Sequence, residues 1–323
     1  MSKSRKAKLL IVFRLTLFVL VLAGIGWAVA KAFREMQSHA FDWSEVDAGG
    51  FLLACLCYIL GMLPCWLYWH QTLRVMGQRP TRFESFRAFL IGQLGKYVPG
   101  KATVVALRAD WVRSDRTNVA PAAASVFIET LTMMAVGAWI ACSYLLFAGE
   151  LPVSNQLLSR TTLVVLSVIL MMVAGIPIWP PVFRRLVKIL GVKKADPEID
   201  KAIAGIGGRL LFQGWALNLV SWACWGLSLL LIVRSLPGTS ADLNQWPLMT
   251  ATVALAMVAG FLSLLPGGIG IRELIILTLL NPWGATTAVI AALVLRMAWL
   301  VSEVTLATIL YLGRFAERPA RSS

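Results

Sequence analysis

The chain has 323 residues, 58% of them hydrophobic, and a formal net charge of +14. With a mean hydropathy of +0.75 it is too apolar for a soluble domain, which is usually about 45–50% apolar. Its long apolar runs identify a polytopic membrane protein. The basic excess therefore reads as the Lys/Arg bias of cytoplasmic loops. No basic–aromatic module for nucleic acid is present, and no nucleic acid partner is expected.

Residues 9–30 are the first predicted span. Lys3, Arg5, Lys6 and Lys8 precede it, and it ends in Ala28-Val29-Ala30, so it mimics a signal peptide. Its apolar stretch exceeds the roughly 7–15 residues of a signal core, which predicts a retained span with the N-terminus in the cytoplasm. Residues 31–50 form an outer loop, and residues 51–69 return to the inside. The apolar stretch 88–107 then has Arg74, Arg79, Arg82 and Arg87 before it and Arg108, Arg113 and Arg116 after it. If both flanks are cytoplasmic, this stretch enters the membrane and returns as a re-entrant hairpin, with Pro99-Gly100 at its tip. The plainer alternative is one span kinked at the proline. Residues 119–147 go out and 161–179 come back. The most basic loop follows, over residues 180–209. Residues 210–233 go out again. A second broken hairpin, 247–265 and 271–280, dips from the outside, and 284–312 is the last span. Arg314, Arg318 and Arg321 place the C-terminus inside.

This order predicts an all-α membrane domain of about seven spans plus two re-entrant hairpins, arranged as an inverted-topology repeat. Its parts are an N-terminal span and outer loop (1–50), a first repeat (51–147), a linking span with the basic loop (148–209), an inverted second repeat (210–312) and a cytoplasmic tail (313–323). Paired Gly/Pro-interrupted segments in the two halves of such a protein mark a binding site near the midplane.

The two breaks are Gln93-Leu94-Gly95-Lys96-Tyr97-Val98-Pro99-Gly100-Lys101 and Leu264-Leu265-Pro266-Gly267-Gly268-Ile269-Gly270-Ile271-Arg272-Glu273. Proline cannot continue a helix, and glycine permits a tight reversal. Each break ends one short helix and begins another, whose first N–H groups and positive dipole end favour an anion. Lys96 and Lys101 flank the first tip and Arg272 the second. Arg108 lies about two turns past Lys101. A phosphate with an apolar tail suits this set. In the alternative, the two lysines snorkel to the surface and anchor the hairpin. Gly268-Ile269-Gly270 lacks a preceding strand and the full glycine fingerprint, which excludes a nucleotide loop.

Glu129, Arg296 and Glu303 lie deep in apolar stretches, where a charge is costly and faces the bundle interior. Arg296 is expected to pair with Glu129 or with Glu303, two turns on. Glu273 either caps its own helix start or carries a proton. The five cysteines all fall in apolar runs and read as buried thiols. His39 and His70 read as interfacial. The sequence contains no Ser–His–Asp set and no cluster with metal-ligand spacing, so neither a catalytic residue, a metal nor a cofactor is expected.

Residues 95–101 with Arg108, and residues 265–273, resemble the two signatures of the lysylphosphatidylglycerol synthase membrane region, the flippase-like family. The resemblance covers about residues 51–312. It implies a lipid flippase-like protein of the bacterial inner membrane. The lipid- or anion-binding set read from the two breaks is Lys96, Tyr97, Pro99, Gly100, Lys101, Arg108, Pro266, Gly267, Gly268, Gly270, Arg272 and Glu273. The bifunctional synthases carry a cytosolic aminoacyl-transferase domain after this region. Here residues 313–323 follow, so the resemblance implies the lipid-moving function and no enzyme. The expected partner is a membrane lipid: a phospholipid, an aminoacylated lipid or a polyprenyl-phosphate-linked carrier. The alternatives are a membrane enzyme acting on headgroups, with Glu273, Glu129 and Tyr97 as its candidate groups, and a noncatalytic partner of a separate lipid or glycolipid synthase.

Overall fold

The computed structural model describes residues 42–98, 102–147, 205–263 and 270–316, with isolated positions at 16–34 and 165–185. The expected spans 9–30 and 161–179 and most of the basic loop therefore lie outside the described residues. So do Pro99, Gly100, Lys101, Pro266, Gly267 and Gly268. The described residues form helices and turns with no strand. Five of those helices are long and apolar enough to cross a membrane.

Helix α1 (Ala48–Val75) starts where the Asp47 carboxylate accepts from the Gly50 N–H at 2.7 Å. It carries Pro64 without ending, as membrane helices tolerate. Helix α2 (Arg82–Gln93) begins on a reciprocal cap: Thr81 N–H donates to Glu84 at 2.7 Å and Glu84 N–H to the Thr81 hydroxyl at 3.1 Å. A 3-10 turn, Leu94–Tyr97, follows and ends in extended Val98. Helix α3 (Ala102–Val112) packs back on α2. Arg82 and Arg87, expected in a loop, thus stand on a helix, and Arg108 stands inside α3. The hairpin is wider than its apolar core because the cap at Thr81 sets where α2 begins. At 12 and 11 residues, each arm is roughly 16–18 Å long, well short of a hydrocarbon core of about 30 Å.

The two ends of this hairpin meet. Arg79 N–H donates to Arg116 O at 3.0 Å, and Asn118 N–H donates to Gln78 Oε1 at 2.7 Å. A kinked single span would hold these segments a membrane apart. Arg79 and Asp115 are both exposed at this end. Cysteines placed at these two positions, in a chain freed of its own five, should react with an impermeant thiol reagent from the same side. Labelling from opposite sides would refute the hairpin.

Helix α4 (Val119–Phe147) closes the first half. The second half repeats the order with α5 (Gly208–Ser235), α6 (Trp246–Leu262), α7 (Ile271–Leu279) and α8 (Ala285–Ala316). Gly270, at φ 84°, sits where the chain turns into α7, a backbone that other residues rarely adopt. The arms of the second pair are unequal. Helix α6 with its leading turn is long enough to cross alone, whereas the 9 residues of α7 reach only about 13 Å.

Helices α1 and α5 form the most extensive interface, and they run antiparallel. Ser228 Oγ donates to Ala54 O at 2.9 Å, Trp225 Nε1 to Tyr58 O at 3.3 Å, and Cys65 Sγ to Ser221 Oγ at 3.2 Å. Further along, Gly214 faces the Tyr68 ring. Small residues let the backbones approach, as is usual between membrane helices. The packing of one half is repeated in the other. Helices α2 and α3 pack together as α6 and α7 do, and α3 packs on α4 as α7 packs on α8. Across the halves, α4 lies on α6 as α8 lies on α2, and α4 lies on α5 as α8 lies on α1. The free cysteines are buried or half-buried, as expected. His70 lies within α1, half-buried, with Nδ1 2.9 Å from Ser85 Oγ, so it ties α1 to α2.

Candidate functional site

Helix α8 serves as a ruler for the site. Near its middle, Leu293, Met297 and Leu300 form a buried cluster against which Tyr97 packs, so the end of the first hairpin lies there. One flank of that stretch carries Arg296, which meets the second hairpin. Its Nη1 donates to Glu273 Oε1 at 2.9 Å. On the other flank Glu303 meets the first hairpin. Lys96 Nζ and the Tyr58 hydroxyl both donate to its Oε1, and the Tyr97 hydroxyl donates to Oε2 at 2.9 Å. The regions next to both breaks thus converge on about two turns of α8. Arg272 is close enough to Arg296, Glu273, Tyr58 and Tyr97 to interact with them electrostatically.

Three charge groups result. Lys96–Glu303 joins the first hairpin to the second half's long helix. Its ammonium also lies 5.8 Å from the Tyr58 ring centre and 5.3 Å from that of Tyr97. Arg296–Glu273 joins α8 to α7. Arg108–Glu129, at 2.7 Å, joins α3 to α4 and is almost wholly buried. The Arg108 guanidinium carbon lies 4.1 Å from the centre of the Phe89 ring, so its charge is met by both a carboxylate and a π face.

The expected pairing of Arg296 with Glu129 or Glu303 does not occur. Both glutamates are taken by cations of the first hairpin. Glu303, seven residues on from Arg296, is about 10 Å along the helix, whereas Glu273 stands on the packed neighbour. Glu273 also caps its own helix, accepting from Gly270 N–H at 2.7 Å. That N–H is therefore not free for a ligand. Gly270, Arg272 and Glu273 come together with Lys96 and Tyr97. Arg108 is committed to Glu129. The tip residues Pro99, Gly100, Lys101, Pro266, Gly267 and Gly268 are outside the described residues.

Arg272 differs from Lys96, Arg108 and Arg296 in its charge pairing. Among the described residues it forms no ion pair, and its Nε is buried without a hydrogen-bond partner. A buried unmatched guanidinium nitrogen costs on the order of 1–3 kcal/mol, more when charged.

Sequence reasoning missed Tyr58 and Gly24. Tyr58 stacks on Trp299 at 4.5 Å. Trp299 Nε1 in turn donates to Ser228 Oγ at 3.3 Å, so its ring is held from behind. The signal was a tyrosine in mid-span, whose hydroxyl needs a partner when buried. Gly24, from the first expected span, leaves room for the hairpin end: a Cβ there would sit 2.1 Å from Tyr97 O. A lone glycine in an apolar run is too common to have singled it out.

No metal-binding group of three or more His, Cys, Asp or Glu exists among the described residues. No curated protein matches the chain closely enough to count as a relative. The family model of the lysylphosphatidylglycerol synthase TM region, however, matches residues 7–306, which takes in both breaks and every charge pair described above, and the chain belongs to that family.

Proposed function

We propose that the protein binds an anionic membrane lipid by its headgroup phosphate, between Arg272 and Lys96, and moves it across the membrane. The observation that carries this reading is Arg272, a half-buried cation whose Nε is buried and unmatched, standing beside Lys96 and the two tyrosines. A phosphate oxygen supplies the missing acceptor, and its charge adds to that of Glu273, which Arg272 shares with Arg296. Membership in a lipid-related membrane family supports a lipid as the source of that phosphate.

The membrane arrangement belongs to the same proposal. The meeting of the ends of α2 and α3, and arms too short to cross, support a re-entrant first hairpin. The antiparallel α1–α5 interface and the repeated packing support an inverted repeat, with the two breaks at its midplane. In the full reading about seven spans surround the two hairpins, both termini are cytoplasmic, and the protein sits in a bacterial inner membrane. A separate lipid or glycolipid synthase is the proposed supplier of the substrate. The lipid is a phospholipid, an aminoacylated lipid or a polyprenyl-phosphate-linked carrier, because all three present an anionic phosphate on an apolar tail.

The test is lipid binding and flipping by the folded protein. Arg272→Ala should weaken binding of phosphatidylglycerol by roughly tenfold to a hundredfold, the value of one charge-assisted bond. Binding of diacylglycerol, which has the apolar tails and no phosphate, should not change. Equal loss for both lipids, or no loss, would refute the site. Binding without any flipping in proteoliposomes would leave a lipid-binding partner protein, and chemical conversion of the headgroup would make the protein an enzyme.

A further inference from the structure

We propose that Glu303 is the displaceable counter-anion of this site: a lipid phosphate takes Lys96 from it on binding, and Glu303 takes Lys96 back on release. The inference rests on the reading above, in which the site receives an anionic headgroup.

The Glu303 carboxylate already carries a donor set that fits an anionic oxygen. The Lys96 ammonium and the Tyr58 hydroxyl donate to one oxygen, and the Tyr97 hydroxyl donates to the other. All three donors come from elements other than α8. In this state the glutamate does the work that a phosphate does in the loaded state.

The pair is lopsided. The Lys96 side chain is 29% exposed, while that of Glu303 is fully buried. An arriving anion therefore reaches the lysine without moving the glutamate. Lys96 also stands in the field of two further cations, Arg272 and Arg296. Arg296 is paired with Glu273 at 2.9 Å, and Arg272 shares the field of that one carboxylate without an ion pair of its own among the described residues. An anion between Lys96 and Arg272 answers both charges at once, whereas Glu303 answers only the lysine. Lysine suits such an exchange because its ammonium ends a flexible four-carbon stem.

Displacement has a cost that drives the return. With Lys96 on the lipid, Glu303 keeps two tyrosine hydroxyls but loses its cation, in a place where water does not replace it. That cost lowers the affinity of the loaded state and favours release, which a transporter needs as much as it needs binding. Glu303 thus acts on the lipid through Lys96, as a positioning and release residue.

The experiment uses the purified protein in nanodiscs, titrated with phosphatidylglycerol in a phosphatidylcholine background, and the same lipids in a proteoliposome flipping assay. Glu303→Gln keeps an acceptor for the tyrosines and removes the charge that competes for Lys96. Phosphatidylglycerol should bind roughly tenfold to a hundredfold more tightly, and flipping should slow. Tightening is an outcome that a merely structural glutamate does not produce. Unchanged or weaker binding by folded Glu303→Gln would overturn the inference. If that variant does not fold, Glu303→Asp, which draws the carboxylate back by one methylene, gives the same reading: tighter binding supports the inference and equal or weaker binding overturns it. Arg272→Ala separates the two levels. If it weakens binding while the Glu303 variants fail to tighten it, only this inference falls. If it binds as the wild type does, the site itself is misplaced and both fall.

Discussion

Glu129→Ala should destabilise the protein by about 3–5 kcal/mol, the usual cost of removing one partner from a buried ion pair. The side chains of Arg108 and Glu129 keep only 3% and 2% of their exposure, so no solvent screening softens the loss. Arg108 has no reserve. Its Nε is already buried without a partner, and the Phe89 and Trp69 rings that flank it offer no formal charge. The helix arm cannot swing the guanidinium out, because Gly92 of α2 closes over its stem: a Cβ on Gly92 would lie 2.3 Å from Arg108 Cγ. Replacing both residues with apolar ones of similar volume, Arg108→Met with Glu129→Leu, should recover most of the loss, because an apolar pair has no desolvation penalty to offset. Unfolding by graded denaturant in detergent micelles measures both variants against the wild type. A single variant within 1 kcal/mol of the wild type, on the order of an exposed pair, would show that the pair does not hold α3 on α4.

Gly95→Ala should produce a second large effect, on stability and on the site together. A Cβ at residue 95 would lie 2.8 Å from Val104 N, 2.9 Å from Val104 Cα and 3.0 Å from Thr103 C. All three are backbone atoms of the opposing arm, and none can rotate away. The arms of the first hairpin must part, at a cost of about 1–3 kcal/mol for overpacking. Lys96 and Tyr97 are the next two residues, so the same shift carries the Lys96 ammonium away from Arg272 and parts the two cations of the site. Affinity for phosphatidylglycerol should fall at least about tenfold, the value of one charge-assisted bond. The clash belongs to the Cβ itself, so alanine should show most of the effect that valine shows. Normal stability and binding in Gly95→Ala would mean that the arms are farther apart than described.

How much of this was legible in advance depended on the kind of interaction. The helices were readable because the length of an apolar run is a local property. Residues 119–147 match α4 to the residue, the runs 210–233 and 284–312 match α5 and α8 within four, and α1 continues six residues past the expected 51–69. The first hairpin was readable because Pro99-Gly100 interrupts a run that has arginine on both sides. The segments that flank that run meet at Arg79 and Arg116. That Lys96, Tyr97 and Arg272 belong together followed from matching two breaks in two halves. Family membership was readable from the same residues.

Only the tertiary structure decided who pairs with whom. Arg296 was assigned Glu129 or Glu303 and takes Glu273, and Glu303 takes Lys96 and Tyr58 instead. Tyr58 and Glu303 are 245 residues apart, and nothing near either one names the other. In a soluble helix the apolar stripe shows which face turns inward, and partners are sought there. In these helices the lipid-facing side is as apolar as the core-facing side, so the pattern carries little information on rotation. Rotation is set instead by where small residues allow close approach, as at Ala54 and Ser228 between α1 and α5. It is set also by where a buried charge finds its opposite. Both depend on two surfaces at once, so they become definite only when the helices are packed.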